Sequence, residues 1–191
     1  VLEGGCNAAD ALLELSPGLH LLPSSYRLAE ADLGFAARMG RELLLKKALA
    51  KLKPAGYEYD IEILDCPPNL GLMTVNGLTA ANALLVPVQS QYHALAGVRL
   101  IEGTYESVRD NLNPELKLLG LVVTLFSKGR NLDREVFNEL RKNYGDLLFE
   151  SRIRGNTALA EAPSYGQDIF KYRPDSPGAE DYRALAKEFL R

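Results

Sequence analysis

An α/β fold is predicted: a mostly parallel, doubly wound sheet with helices on both faces, hence three layers. Three observations predict it. Apolar runs and amphipathic segments alternate along the chain. Several of the runs are continuously apolar rather than alternating, the mark of strands covered on both faces. One run, Ile61 to Leu64, ends in Asp65 and then meets Pro67-Pro68. This places a carboxylate at the carboxyl end of a strand, where open parallel sheets bind ligands. The proline pair forbids helix continuation and removes two backbone donors. An Asp close to a proline equally well starts a turn.

Taken in order, residues 7–15 read as a short helix, with Asn7 as cap and Ala11, Leu12 and Leu15 on one face. Pro17-Gly18 turns the chain. Leu19 to Leu22 is a short apolar run closed by Pro23-Ser24-Ser25, consistent with a buried strand. Residues 26–52 have helical spacing at Leu28, Phe35, Met39 and Leu43; Gly34 and Gly40 each weaken that helix by roughly 1 kcal/mol. The strand ending at Asp65 follows, then a helix from about Leu72 to Ala81. Ala83 to Val88 is a strand. Residues 94–112 are a helix, with Leu95, Val98, Ile101, Tyr105, Val108 and Leu112 stepping by three or four. Asn113-Pro114 stops it. Leu118 to Phe126 is the strongest strand. Residues 131–144 are a helix with Leu132, Val136, Phe137, Leu140 and Tyr144 inward, and Leu147 to Phe149 a short strand. A Gly/Pro-rich stretch, 154–177, precedes a last helix from Ser176-Pro177 through Leu190, with Tyr182, Leu185 and Phe189 inward.

The chain has 191 residues, enough for one substantial core, and a single domain over residues 1–191 is expected. Its 47% hydrophobic and 25% charged residues suit a soluble globular domain. No apolar run approaches the roughly 20 residues of a membrane span, and Val1 to Gly5 lacks the basic-then-apolar pattern of a secretion signal. Cys6 and Cys66 are too few for a disulfide scaffold or a zinc site, so a reducing cytoplasm is expected. A net charge of −3 argues against nucleic-acid affinity by bulk electrostatics and leaves a local basic patch open.

Asp65 could hold Mg²⁺, directly or through water, beside the terminal phosphates of a nucleotide. The usual complement is a glycine-rich loop ending in Lys and Ser/Thr, and the sequence contains none: Gly4-Gly5 has no following Gly-Lys-Thr, and Lys128-Gly129 follows the wrong element. Gln89 and Gln91 leave a strand at its polar carboxyl end and could reach a ligand, or could belong to a solvated loop. Lys128, Arg130, Arg134, Arg141 and Lys142, followed by Arg152 and Arg154, could form a phosphate-contacting surface. The interleaved Asp133, Glu135, Glu139 and Asp146 suit an ordinary solvated helix as well. Residues 161–166 could wall a ligand pocket or be a structural turn. His20 and His93 have no ligand partner at helical or hairpin spacing and read as structural.

Four stretches in order resemble successive signatures of the ParA/Soj partitioning ATPases: Tyr59 to Gly71 (YDIEILDCPPNLG), Leu84 to Gly97 (LLVPVQSQYHALAG), Asn111 to Thr124 (NLNPELKLLGLVVT) and Glu161 to Gly166 (EAPSYG). The close, Ser176 to Ala179 and Tyr182 to Ala186, and the run Leu19 to Ser24 are also similar to that family. The resemblance implies a deviant P-loop nucleotide hydrolase on a parallel, doubly wound sheet. ATP and Mg²⁺ would drive a homodimer that binds DNA without sequence preference, and a ParB-like partner would stimulate hydrolysis, all in the cytoplasm on the nucleoid. Asp65 would be the Walker B acid, in both the metal and the catalytic role, with Pro67 in the switch after it. Gln89 to Gly97 would lie near the nucleotide and the dimer face, and Thr124 and the 161–166 loop, with Pro163, near the base.

The sequence departs from that pattern in ways that set further expectations. The family's lysine-rich phosphate loop and the strand carrying it would precede Val1. The chain is therefore expected to be the carboxyl-terminal part of a longer protein, with exposed apolar edges. On its own it is expected to bind Mg-ATP weakly or not at all by calorimetry. The positions where the family carries DNA-contacting arginines are Gly129 and Ala158 here; Lys128, Arg130, Arg152 and Arg154 could substitute, because a phosphate contact needs charge rather than one hydrogen-bond pattern. Glu62 is unexpected inside an apolar strand. Two other readings keep the fold: a non-hydrolysing scaffold that binds a partner, and an ATPase that positions another cargo.

Overall fold

The computed structural model describes residues 1–25, 28 and 34–191. The chain divides into two compact units, one of residues 1–83 with 103–116 and the other of residues 84–102 with 117–191.

The first unit opens on a short 3-10 turn, Ala9–Ala11, and a hairpin of β1 (Leu13–Ser16) and β2 (Leu19–Leu21). The two strands are antiparallel, with Leu13 opposite Leu21 and Glu14 opposite His20. The helix expected over 7–15 is thus replaced by a turn and a strand: Pro17-Gly18 closes a hairpin, and Gly18 takes the left-handed conformation (φ 77°) that the tight reversal needs. Of the Leu19 to Leu22 run, Leu19–Leu21 does form a strand, but it pairs antiparallel, and Leu19 and Leu21 stay exposed. Of the helix expected over 26–52, residues 26, 27 and 29–33 lie outside the described residues. The remainder forms a 3-10 turn, Arg41–Leu43, and helix α1 (Leu44–Leu49). Gly40 enters it with a left-handed backbone.

Helix α2 (Leu72–Ala80) is tied to α1 by one side chain. Asn76, almost wholly buried, accepts from the Leu45 amide at 3.0 Å and donates to the Arg41 carbonyl at 2.8 Å. A buried amide with donors and acceptors all matched specifies one packing of the two helices. Asn113 does the same at the other end of α2, donating to the carbonyls of Leu78 and Ala81.

The second unit holds a three-stranded sheet in the order β3 (Ala83–Gln89), β4 (Lys117–Phe126), β5 (Leu148–Arg154). Strands β4 and β5 are parallel, with Leu121 opposite Leu148 and Thr124 opposite Ile153. Helix α3 (Ala94–Asn111) leads from β3 toward β4, and α4 (Asn131–Tyr144) from β4 toward β5. The core is Val86 and Val88 of β3, Val98 of α3, Leu121, Val123 and Phe126 of β4, Phe137 and Leu140 of α4, and Leu148 of β5. These are the positions that the continuous apolar runs and the inward helical faces predict. Beyond β5 the Gly/Pro-rich stretch folds into short helices α5 (Thr157–Glu161) and α6 (Ile169–Tyr172). The last helix, α7 (Pro177–Phe189), is capped by the Ser176 hydroxyl on the Ala179 amide. Its buried residues are Gly178, Ala179 and Asp181, whereas Tyr182 and Phe189, expected inward, are exposed. The reason is close approach: a Cβ at Gly178 would meet Leu159 at 2.6 Å. The helix therefore packs through its small residues and not its large ones.

Candidate functional site

Residues 57–67 carry no strand pairing among the described residues. The strand predicted to end at Asp65 therefore does not form a ladder here. Ile63 is 88% exposed and Ile61 50%. These side chains, with Leu19, Leu21, Leu45 and Leu49, line a cavity of about 1520 Å³, and Asp65, Cys66 and Pro67 also line it. Asp65 itself is exposed. The turn after it is braced from within: the Asn69 side chain accepts from the Gly71 amide at 3.1 Å, and the Thr74 hydroxyl donates to the Asn69 carbonyl at 2.5 Å. Cys66 is seated against α2, where a Cβ on Gly77 would come within 2.6 Å of its Sγ. Burial of that sulfur, and then the Asp65 carboxylate beside it, push the Cys66 thiol above its ordinary value. The sulfur is thus seated on α2 beside Asp65, while the residue as a whole stays exposed.

The donor set fits Mg²⁺ of the kind held with a nucleotide. Mg²⁺ keeps several waters and takes one or two carboxylates plus phosphate oxygens, without an all-protein cage. Among the described residues no cluster of three acidic, His or Cys side chains occurs, and Asp65 stands as one accessible carboxylate on a large cavity.

In the second unit, Gln89 and Thr124 come to the carboxyl ends of adjacent strands. The Ser90 amide donates to the Thr124 carbonyl at 3.4 Å, and the Gln91 side chain donates to that of Gln89 at 3.0 Å. Pro163 lies exposed on a 3-10 turn, Ala162–Tyr165. The turn is closed by Gly166 with φ 62° and backed by Tyr165 stacked on Tyr172, whose hydroxyl donates to Glu161.

The four candidate DNA contacts differ in setting. Lys128 and Arg130 are exposed on the turn after β4. Arg152 sits over aromatic rings, its guanidinium carbon 3.6 Å from the centre of Phe137 and 5.1 Å from that of Phe126. Arg154 is gripped by acids: its Nε and Nη2 reach Asp181 at 2.7–3.0 Å and its Nη2 reaches Glu180 at 2.6 Å. These partners, Asp181 first, raise the pKa of the guanidinium further above its ordinary value. Arg154 thereby ties β5 to the start of α7. Ala158 is 1% exposed, so a small side chain suits that position, while Gly129 sits in the open turn. The pairing of Asp133 with the Ser127 amide was missed by sequence reasoning, which took Asp133 for one of several solvated charges. Its place in the first turn of a helix, three residues after Arg130, was the available signal.

Helices flanking a parallel sheet, with polar residues at strand carboxyl ends, define an α/β class, and likeness to solved structures narrows it to the ParA-like fold of the P-loop ATPases. Comparison agrees. Residues 3–118 match the family model described as an AAA domain. The chain is 41% identical over 181 residues to the chromosome-partitioning ATPase Soj of Thermus thermophilus, covering 95% of this chain and 70% of that one. It is 39% identical over 170 residues to the sporulation initiation inhibitor protein Soj of Bacillus subtilis, covering 89% of this chain and 66% of that one. Its fold superposes with a TM-score of 0.82 on the crystal structure of cobyrinic acid a,c-diamide synthase from Mycobacterium smegmatis with bound ATP analog and magnesium, at 36% identity, covering all of this chain and 70% of that one. The chain belongs to the ParA/Soj family, and it spans about two-thirds of the length of these relatives.

Proposed function

We propose that the protein carrying this chain is a ParA-type ATPase of chromosome or plasmid partitioning. The single observation that supports this most is Asp65, an accessible carboxylate fixed between a packed cysteine and a braced turn on the wall of a large cavity, in a chain so similar to a chromosome-partitioning ATPase. In this reading Asp65 holds Mg²⁺, directly or through a water. The metal, when bound, supplies charge neutralisation at the terminal phosphates of ATP. Pro67 stiffens the backbone just after Asp65 and so limits its wander. Gln89 lies near the nucleotide, and Thr124 and Pro163 lie near its base. The lysine and backbone amides that cradle the phosphates are not among this chain's motifs, so the reading concerns the protein in which such a loop accompanies it.

The finer parts of the proposal are ATP-dependent homodimerisation, stimulation by a ParB-like partner, and sequence-independent DNA binding in the cytoplasm on the nucleoid. Of the candidate DNA contacts, Lys128 and Arg130 have the most freedom to reach phosphate. Arg152 contributes charge from its aromatic seat, and Arg154 chiefly holds β5 to α7. No helix among the described residues is long and apolar enough to cross a membrane. The test is Asp65→Ala in the full-length protein. ATP turnover is expected to fall at least a hundredfold, since charge stabilisation dominates phosphoryl transfer. Near-normal turnover would remove the assignment.

A further inference from the structure

The turn between β4 and α4 is built in an unusual way. Leu125 adopts a left-handed backbone, φ 54°, which branched apolar residues rarely do. The register between β4 and β5 shifts at the same place, between Thr124 and Phe126. Such a conformation is strained and persists only where the surroundings over-determine it. Three bonds do so. The Gly155 amide donates to the Phe126 carbonyl, the Arg130 amide donates to the Ser127 carbonyl at 3.1 Å, and the Ser127 amide donates to Asp133 Oδ2 at 2.7 Å. Lys128 and Gly129 are the central residues of the reversal that the Ser127 and Arg130 backbone closes.

Asp133 is the unexpected member. Its side chain is 0% exposed. Oδ2 is committed to the Ser127 amide, while Oδ1 has no hydrogen-bond partner and faces Arg130 Nε at 3.7 Å. Burying a carboxylate is costly, and a neutral acceptor would satisfy the Ser127 amide without that cost. What the side chain supplies is a buried acceptor at the root of the turn, close to Arg130, whose own side chain stays 62% exposed.

We infer that Asp133 is a positioning residue for phosphate recognition. By anchoring the Ser127 amide at the root of the turn, it makes the turn present Lys128 and Arg130 together to a polyanionic backbone. The inference rests on the reading of those two cations as DNA contacts. Asp133 makes no contact with the phosphate itself and acts only through the turn. Preorganisation of this kind strengthens binding by lowering the ordering cost of the contact.

The experiment uses the full-length protein with Mg-ATP and a random-sequence DNA duplex, read by anisotropy at several salt concentrations. Ser127 amide exchange is followed alongside, and ATP turnover without DNA and the thermal midpoint report folding. The Lys128→Ala/Arg130→Ala double variant is expected to lose roughly tenfold or more in affinity and to flatten the salt dependence by about two contacts. Asp133→Ala is expected to lose roughly fivefold, by freeing the turn, with Ser127 protection lost. Asp133→Asn keeps an acceptor for Ser127 and removes a negative charge beside Arg130, so it should bind as tightly as the parent or tighter, with protection kept. If the double variant weakens binding and Asp133→Ala does not, this inference fails and the DNA reading stands. If Asn and Ala weaken binding equally, anchoring is not what matters and the inference fails. If the double variant binds like the parent, both fail. Should Asp133→Ala not fold, Asp133→Asn alone decides: a loss of about threefold or more overturns the inference.

Discussion

Two apolar β-type stretches meet opposite fates in this molecule. Residues 118–126 become the middle strand of a three-stranded sheet, with Leu121 and Val123 wholly buried. Residues 61–64 have the same character of sequence, yet they stay unpaired and mostly exposed. The difference is not intrinsic propensity. A strand exists only when its amides and carbonyls find a ladder, and β4 finds one on both sides while 61–64 finds none among the described residues. An apolar run therefore reports the capacity to form a strand, and the neighbours decide whether it does.

The contrast can be tested by mutation. The largest effect belongs to β4: Leu121→Ala should cost about 3–4 kcal/mol in chemical denaturation, transfer and cavity terms together, and a cost below about 1 kcal/mol would mean that the sheet is not the core. Next comes the tie between β5 and α7. Arg154→Ala leaves Asp181 buried with only the residue-154 backbone amide in place of the guanidinium and should lower stability by about 2–3 kcal/mol, less than for a fully buried pair because the guanidinium is partly solvated. Arg154→Lys should recover only part of this, since a point charge cannot replace the fork; full recovery would show that charge alone suffices.

A smaller effect comes from Tyr144, whose hydroxyl donates to Glu102 at 3.0 Å. Burial, and then the hydrogen bond to Glu102, push its phenol up to about 12 from an ordinary 10. A folded-state value above the unfolded one means that the stabilisation is fully present below about pH 10 and is lost as pH rises toward about 12. Tyr144→Phe should accordingly cost about 1 kcal/mol at neutral pH and make the protein's stability less sensitive to that alkaline window. A Tyr144 titration at the ordinary value by ultraviolet absorbance would contradict this. The smallest effect is at the unpaired stretch: Ile63→Ala should change stability by less than about 0.5 kcal/mol, because little surface is removed from water. Ile63→Ser should also reduce self-association in light scattering, because the apolar stretch is open to solvent. A loss of stability near that of Leu121→Ala would show that residues 61–64 are packed after all.

Much of the architecture was legible beforehand. The helices over 94–112 and 131–144 and the strands from Ala83 and Leu118 fall where their periodicity put them, because each buries one continuous face and the face is written in the spacing. Asp65 and the ordered motifs were legible too, since each is contiguous in sequence. What was not legible depended on partners distant in the chain. Residues 7–15 read as a helix until Pro17-Gly18 folded them into a hairpin. Tyr182 and Phe189 read as inward until Gly178 brought α7 down on Leu159. Arg154 read as a surface cation, and only the fold brought Asp181, 27 residues away, against it.

By itself, then, the sequence determined the class of fold, the family and the carboxylate on which the proposed chemistry rests, because hydrophobic period and local motif are properties of neighbouring residues. Only the tertiary structure decided which apolar run found a ladder, which arginines stayed exposed and which were held by acids or rings, and that Asp133 would be buried under the turn that carries Lys128 and Arg130. Pairing, burial and electrostatic partnership arise between groups far apart in sequence, and they acquire values only once the chain has closed around them.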